Sequence, residues 1–451
     1  MLPLARLLRF PQPSRPSVRP QFQTCAAVTR TPRYVHSASN PNISELLTTS
    51  EDENVWIKRR PLPTTTSIKY TIPTDPYLLA DKFQRMEREG KVDDAVAIVM
   101  QTKTACQSQV LWNLVIDAYA KKGRLSRALR ASTEMRRRGF RPTQTTFTAL
   151  LKACALCDGE KSLAMAESIY RSIEDANVEP SIIHVNTLLS VYQHKHKVQP
   201  ILNIYNSLPA NGPMAPTLTT YTILLSALRR ELIMRIDELK NEPLEPSAQK
   251  GEKKIRVDRR SAHIKKNMRQ VFDNLMLAWY SYADDAVRRI DSADADDTTP
   301  LHIDAHIVNI VLKSCHAVYG VNRALGRKGL KIAEQVYGMD KSLHAGGSEG
   351  TAQPPTSKDN PTPLAARIRR SESRKPSESM SKFNTINIDT IDLVLELCKR
   401  DQEPTKAIRF WQSLEKHFAA DLEPIQSNFT ERIDKFRGQM PWNNKTTPKK
   451  D

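Results

Sequence analysis

"VLWNLVIDAYAKKGRLSRALRASTEMRRRGFRP", residues 110–142, is the stretch that decides the fold. A run of apolar residues at helical spacing begins at Trp112, and the segment KKGR (121–124) interrupts it. A second helical pattern begins at Leu125. Its arginines suit the negative end of a helix, Gly139 allows a left-handed turn, and Pro142 cannot continue a helix. The stretch predicts a helix–turn–helix hairpin of about 35 residues.

The hairpin pattern recurs with a period near 35 residues. An apolar residue followed by a polar one opens each unit, at spacings of 35, 38 and 36: Trp112-Asn113, Phe147-Thr148, Val185-Asn186 and Tyr221-Thr222. Three units close on a proline: Pro142, Pro180 and Pro216. Segments 305–315 and 390–400 keep this order, and a degraded unit covers 78–101. A fixed period of this size is typical of stacked helical repeats.

These residues resemble the pentatricopeptide repeat family, whose unit resembles YNxLIxAxxKxGxxxxAxxxFxxMxxxGxxP. Residues 109–143 match it best, 144–181 carry three extra turn residues, and 182–217 carry one extra residue and lack the turn glycine. The resemblance is to a mitochondrial P-type-like member with degenerate, insertion-interrupted repeats. It implies an all-α fold, an α-solenoid of stacked helix–turn–helix repeats in a right-handed superhelix. The first helix of each unit would line its concave surface.

Composition and repeat spacing divide the chain into seven segments. The predicted segments are a mitochondrial transit peptide (1–40), a linker (41–75), tandem repeats (76–240), degenerate repeats with a charged insertion and an acidic loop (241–340), a disordered low-complexity insertion (341–382), a C-terminal helical pair (383–437) and a basic tail (438–451). In the stretched unit after Tyr221, we expect a helix over 219–240, an exposed insertion over 241–260 and a helix over about 262–289. The insertions either contact other proteins or have no function.

The N-terminal segment has the composition of an organellar address. Residues 1–40 contain six arginines and no acidic residue, and "MLPLARLLRF" would form a basic amphipathic helix. This composition is typical of a mitochondrial transit peptide, and "TPRYVHSAS" (31–39) resembles a processing site. The predicted location is the mitochondrial matrix. The alternative is a disordered basic arm that binds RNA.

The family resemblance also implies which residues read RNA. Two positions per unit would bind the Watson–Crick edge of a single-stranded base: Asn113/Thr143, Thr148/Ser181, Asn186/Thr217, Thr222/Asp304 and Asn309/Asn387. The second residue of each unit would sandwich the base: Val110, Thr145, Ile183 and Thr219. By analogy, asparagine at the first position prefers pyrimidines and threonine prefers purines. The alternative is that these polar side chains cap the free N–H groups of the helices.

The charge of the chain favours a polyanionic partner. Its formal net charge is +18 and its pI is about 9.6. Residues 109–143 form the most basic unit, and its predicted phosphate contacts are Lys121, Lys122, Arg124 and Arg127. The alternative is a solvated outer face. No apolar run approaches the roughly 18–20 residues that span a bilayer, so no membrane span is expected.

No motif for catalysis, a cofactor or a metal accompanies the repeats. Cys154 and Cys157 form a lone C-x-x-C, which fits two core or loop thiols better than a zinc or redox site. The acidic run DSADADD (291–297) fits a loop better than a metal site. H-x-E, G-x-x-x-x-G-K-[ST] and H-E-x-x-H are all absent from the sequence. We therefore expect no enzyme, no cofactor and no metal.

Two functions follow as expectations. The first is binding of single-stranded mitochondrial RNA in organellar RNA processing, stability, intron splicing or translation. The second is a helical-repeat protein scaffold, such as a mitochondrial ribosome component or assembly factor, whose partners are the ribosome or other RNA-processing proteins. A nuclease is disfavoured because no additional carboxylate-bearing domain is evident.

Overall fold

The structure is a computed structural model that describes residues 62–64, 70–159, 161–241, 252–291, 303–337, 386–417 and 426–438. These residues form α-helices and one short 3-10 helix (Thr104–Cys106), and none of them lies in a strand. They divide into two compact units between Ile223 and Leu224. The predicted all-α solenoid of helix–turn–helix repeats is confirmed. The predicted segments 1–40 and 341–382 lie outside the described residues.

The first unit contains four hairpins and the start of a fifth. The hairpins are α1 (Pro76–Arg88) with α2 (Val92–Gln101), α3 (Gln109–Lys121) with α4 (Leu125–Arg137), α5 (Gln144–Leu156) with α6 (Ser162–Asp175), and α7 (Ile182–His194) with α8 (Val198–Ser207). The first helices α1, α3, α5 and α7 pack in succession, each on the next. Stacking therefore buries apolar faces that one hairpin alone would expose.

The second unit continues the same architecture with irregular helix lengths. Its helices are the remainder of α9 (Leu218–Lys240), α10 (Glu252–Asp291), α11 (Ala305–Tyr319), the short α12 (Arg323–Gly326), α13 (Lys328–Tyr337), α14 (Ile388–Asp401), α15 (Pro404–His417) and α16 (Gln426–Gly438). Helix α11 packs on α13 and α14, α14 packs on α15, and α15 packs on α16. This unit thus holds two further first helices, α11 and α14.

Three parts of the chain differ from the sequence-based expectation. Helix α10 begins at Glu252, so part of the predicted 241–260 insertion is helical, because residues 252–262 are helix formers without glycine or proline. Helix α16 adds a third helix to the predicted C-terminal pair, and it buries Phe429 and Ile433. Within the predicted linker, Leu62 is buried and the Thr64 carbonyl accepts a hydrogen bond from Gln101 at 2.7 Å.

In four of the hairpins, the turn has left-handed backbone at one fixed position, fifteen residues after the N-cap. Gly123 supplies it in the α3–α4 hairpin with φ +64°. His196 takes this position after α7, with φ 55°, and Gln402 takes it after α14, with φ 58°. The missing turn glycine of residues 182–217 is therefore replaced by a strained non-glycine residue, at a cost of roughly 1–3 kcal/mol.

The arginine-rich stretch at the end of α4 serves the fold. Gly139 has φ +88°, and the N–H of Phe140 donates to the Met135 carbonyl at 3.1 Å, which ends the helix. The Arg138 guanidinium lies 5.5 Å from the centre of the buried Trp112 ring and pairs with Glu134 at 2.8 Å. This arginine therefore packs between the two helices of its own hairpin.

Candidate nucleic-acid interface

The polar residue near the start of each first helix lies beside the N-cap of the next first helix; we call each such contact a junction. At the first junction, the Asn113 amide nitrogen donates to Thr143 at 3.1 Å and to Thr145 at 2.8 Å. The Thr146 hydroxyl donates to the Asn113 oxygen at 2.5 Å. Both amide hydrogens of Asn113 are thus engaged within the protein.

The junction between α7 and α9 repeats this geometry. The Asn186 nitrogen donates to the Thr217 hydroxyl at 3.0 Å, and the Thr220 hydroxyl donates to the Asn186 oxygen at 2.6 Å. Asn186 is 9% exposed and Thr220 is fully buried. No described contact uses the second amide hydrogen of Asn186, so this N–H could donate a hydrogen bond to a ligand.

A third asparagine junction lies in the second unit, between α11 and α14. The Asn309 nitrogen donates to the Asn387 oxygen at 2.9 Å, although 78 residues separate them. The Thr390 hydroxyl donates to Asn387 at 2.7 Å and not to Asn309. The Asn309 oxygen is buried and has no hydrogen-bond partner among the described residues. The two amides lie together as predicted, with one acceptor unsatisfied.

Sequence reasoning missed the residue that orients the asparagine in the first unit. Thr146 and Thr220 each lie three residues after an N-cap, and each also accepts a hydrogen bond from the N-cap N–H, at 3.0 Å in both junctions. The signal was present as threonine at the first and fourth positions of TQTT (143–146) and TLTT (217–220). This pattern is a helix cap that simultaneously fixes the amide of the preceding repeat.

The Thr148/Ser181 junction is built differently. No described hydrogen bond joins the two side chains, because the Thr148 hydroxyl donates to the Gln144 carbonyl of its own helix at 2.9 Å. Ser181 instead contacts the buried His184, whose Nε2 lies 3.0 Å from the Gln144 carbonyl. Burial, opposed by the hydrogen bond to the Gln144 carbonyl, holds the pKa of His184 below its usual value.

The remaining predicted pair falls in two different units, so each residue is described alone. The Thr222 hydroxyl donates to the Leu218 carbonyl at 2.9 Å. Asp304 is the N-cap of α11, and its carboxylate accepts from the His306 N–H at 3.3 Å. Asp304 thus makes the contact that the capping alternative predicted, whereas Thr222 donates to a carbonyl and satisfies no free N–H.

Exposed side chains accompany the junctions at the predicted base-sandwiching position. Val110 is 64% exposed and Ile183 is 59% exposed, which is unusual for aliphatic residues. Thr145 and Thr219 are also exposed. Tyr77 holds the same position in the degraded first hairpin and is 86% exposed. Sequence reasoning missed this tyrosine because the first hairpin matches the repeat poorly.

The four predicted phosphate contacts bind other parts of the protein. Lys121 pairs with Glu87 and Asp117, both at 2.9 Å, and Lys122 donates to the Gly90 carbonyl at 3.2 Å. Arg124 pairs with Asp93 at 3.1 Å, and Arg127 pairs with the same carboxylate. These contacts fasten α3 and α4 to the first hairpin. The phosphate role of the four cations stays a prediction, and it competes with these pairs.

Burial acts to raise the pKa of Asp93, but the hydrogen bonds and charges of Arg127 and Arg124 outweigh it and hold that pKa below its usual value.

Three other cations of the same repeat are available to an anion. Arg136, Arg137 and Arg141 are exposed, and none has an ion-pair partner among the described residues. Arg141 lies two residues before Thr143 in the chain.

The C-x-x-C segment fits the interpretation as structural thiols. Cys154 is buried, and burial together with Cys157 raises the pKa of its thiol well above the usual range. Within the described ranges, no three histidine, cysteine or acidic side chains form a group that could hold a metal ion. No helix in those ranges combines the length and apolar character that crossing a membrane requires.

Comparison with known families identifies the repeat. Residues 107–156 match a PPR repeat family model, and residues 168–230 match a pentatricopeptide repeat domain model. Both ranges are pentatricopeptide repeats. The two matched ranges contain the first two asparagines and most of the predicted partners in the first unit.

Relatives of this pentatricopeptide repeat chain include Arabidopsis thaliana proteins. Pentatricopeptide repeat-containing protein At5g27110 is 26% identical over 185 residues, which are 40% of this chain and 25% of that protein. Pentatricopeptide repeat-containing protein At1g62260, mitochondrial, is 30% identical over 124 residues, which are 27% of this chain and 17% of that protein. The chain spans about a quarter of the length of the first of these relatives.

A solved structure of the family is also similar over a large part of the chain. The crystal structure of the pentatricopeptide repeat protein PPR10 in complex with an 18-nt psaJ RNA element matches 76% of this chain and 54% of that chain. The sequence identity is 16% and the TM-score is 0.30. The family assignment rests on the two repeat matches.

Proposed function

We propose that this chain binds single-stranded RNA at its junctions, one base per junction, and acts in RNA metabolism in the mitochondrial matrix. The processes concerned are RNA processing, stability, intron splicing or translation. Two of the relatives carry mitochondrial in their names, which supports the location. The basic composition of the chain supports a polyanionic partner.

The observation that carries the proposal is the pairing of polar side chains at the asparagine junctions. Asn113, Asn186 and Asn309 lie 3.1, 3.0 and 2.9 Å from the N-cap side chain of the next first helix. Each pair combines amide or hydroxyl donors and acceptors in one place, as reading a Watson–Crick edge requires.

The surroundings of the junctions support base binding. Val110 and Ile183 place exposed apolar surface two residues into their first helices, and Tyr77 adds an exposed ring in the first hairpin. Apolar and aromatic side chains contact the flat faces of unstacked bases, and aromatic stacking contributes about 1–3 kcal/mol per base. The exposed Arg136, Arg137 and Arg141 would contact phosphates near the first asparagine junction.

The test is selection from a random single-stranded RNA pool with the full chain, followed by the same selection with Asn186→Thr. Family analogy predicts a pyrimidine opposite Asn186, and the variant should change that one position to a purine. Thr187→Ala is the matched control, because its hydroxyl contacts only the Ile183 carbonyl of its own helix in the described structure. An identical selected sequence for wild type and Asn186→Thr contradicts base reading at this junction.

One observation favours a second function, a protein scaffold. The hydrogen bonds of Asn113 to Thr143, Thr145 and Thr146 complete the first junction without any RNA. A purely structural junction would have this property. Failure to enrich any RNA from the pool, together with salt-resistant co-sedimentation with mitochondrial ribosomal subunits, favours the scaffold.

A further inference from the structure

The second unit contains a cationic cleft that lies away from the junctions. Helix α10 lines one side with Lys265, Lys266, Met268 and Arg269, and the turn between α11 and α12 lines the other with Val321 and Asn322. The cavity has a volume of about 310 Å³ and no acidic residue lines it. Three cations therefore surround one cleft without a carboxylate.

The three cations take little part in the fold, because Arg269 interacts with Asp273, four residues along α10, through charge alone. Lys265, Lys266 and Arg269 are exposed, and none forms an ion pair among the described residues. Lys265 and Arg269 lie four residues apart on α10, where like charges destabilise a helix by a few tenths of a kcal/mol. By contrast, Arg323 on the neighbouring α12 and Arg327, which follows that helix, both bind the Asp401 carboxylate. The unpaired cations are arranged for an external anion.

The remaining lining residues give the cleft an apolar floor and a further donor. Met268 is 2% exposed and Val321 is half-buried. The Asn322 oxygen accepts from the Leu325 N–H at 3.2 Å, and no described contact uses its amide nitrogen. A flat apolar floor suits a nucleobase or ribose, and the cations suit its phosphate.

The cleft is separated from the nearest asparagine junction. Ten residues separate Asn309 from Tyr319, where α11 ends, so about 15 Å of helix rise lies between Asn309 and the turn that contains Val321. A base held at Asn309 therefore leaves the cleft free for another nucleotide.

We propose that this cleft is a second RNA-contact site, which holds one phosphate-linked nucleotide outside the base-reading junctions. The proposal rests on the proposed RNA-binding function. Its phosphate contacts are Lys265, Lys266 and Arg269, and their contribution is independent of base sequence because phosphate contacts carry no sequence information.

The experiment measures the salt dependence of RNA affinity for the full chain, using the RNA selected by the wild type. The triple variant Lys265→Gln, Lys266→Gln, Arg269→Gln should lower the slope of log affinity against log salt by about 0.7, the contribution of one neutralised phosphate of a single strand. Between 50 and 200 mM salt, the wild type should thus lose about 3-fold more affinity than the variant.

The matched control removes the same charge elsewhere. Arg88, Lys103 and Lys399 are exposed and have no ion-pair partner among the described residues, so Arg88→Gln, Lys103→Gln, Lys399→Gln is the control triple. Equal slopes for the two triple variants overturn the cleft proposal while RNA binding by the wild type still stands. That result leaves an acidic protein as the partner of the cleft. Absence of RNA binding by the wild type overturns both proposals.

Discussion

Thr220→Val tests whether the asparagine junction holds adjacent repeats together. The buried Thr220 hydroxyl donates to the Asn186 oxygen at 2.6 Å and accepts from the Thr217 N–H at 3.0 Å. Valine has nearly the same shape as threonine but makes neither hydrogen bond. The substitution therefore removes two hydrogen bonds at the start of α9 without leaving a large cavity.

Two contributions set the expected loss in the free energy of unfolding. An N-terminal cap contributes about 1 kcal/mol. Leaving the Asn186 oxygen without a donor costs about 1–3 kcal/mol, because Asn186 is only 9% exposed. The expected destabilisation is about 2–4 kcal/mol, which is large for the loss of a single buried hydroxyl group.

The assay combines guanidinium unfolding of the full chain with peptide-level hydrogen exchange, because neighbouring repeats need not unfold together. Peptides from α7 and from the start of α9 should lose protection first. Thr187→Val is the control, with an expected change within about 0.5 kcal/mol, since its hydroxyl contacts only its own helix. A Thr220→Val protein as stable as this control refutes the reasoning.

A double-mutant cycle sharpens the test. In the double variant Asn186→Ala, Thr220→Val, no unsatisfied amide oxygen remains at the junction. The sum of the stability losses of the two single variants should therefore exceed the stability loss of the double variant by about 1 kcal/mol or more. Strict additivity would show that the two side chains do not stabilise each other.

Three further predictions concern single side chains. Burial lowers the pKa of His184, so the free energy of unfolding of the first unit should fall as pH drops below about 6.5, the pKa of histidine in an unfolded chain. The variant His184→Thr should abolish this pH dependence. Guanidinium unfolding midpoints measured between pH 7 and pH 5 test both expectations. Gly326→Ala should destabilise the second unit by about 1–3 kcal/mol, because a Cβ at this position would lie 2.7 Å from the backbone of α11. The control Gly320→Ala places its Cβ in open space and should be tolerated. Equal thermal unfolding midpoints for the two variants contradict the prediction. Asp401→Asn weakens the ion pairs with two arginines and should lower the free energy of unfolding by about 1–3 kcal/mol. An unchanged midpoint in chemical unfolding contradicts this prediction.

The hairpins of the first unit could be predicted from sequence because their pattern is local. Helical spacing after Trp112, the turn at Gly123 and the break after Gly139 all lie within one repeat. The turn at His196 could not be found in this way, because stacking against neighbours holds a non-glycine residue in left-handed backbone. Helix α10 was predicted too short because residues 252–260 have few apolar residues to mark a buried face.

The candidate site was predicted in part. The family resemblance, applied in the register of the repeats, paired Asn113 with Thr143 and Asn186 with Thr217, and these side chains are in contact. It did not find Thr146 or Thr220, because a threonine three residues into a helix looks like an ordinary cap until the preceding repeat lies against it. The number of basic residues in a repeat does not show which of them are ion-paired, because ion pairs such as Arg124–Asp93 join residues of different hairpins.

The buried hydrogen bonds of Asn186 have a consequence for how such a protein can change. The same amide that would select a base also holds two neighbouring repeats in contact, through Thr217 and Thr220. Recognition and mechanical cohesion are therefore not independent traits at this position. Exchanging this residue to re-target the array would also weaken the contact between the two repeats, so specificity and stability at this junction would be inherited and engineered together, as a three-residue set.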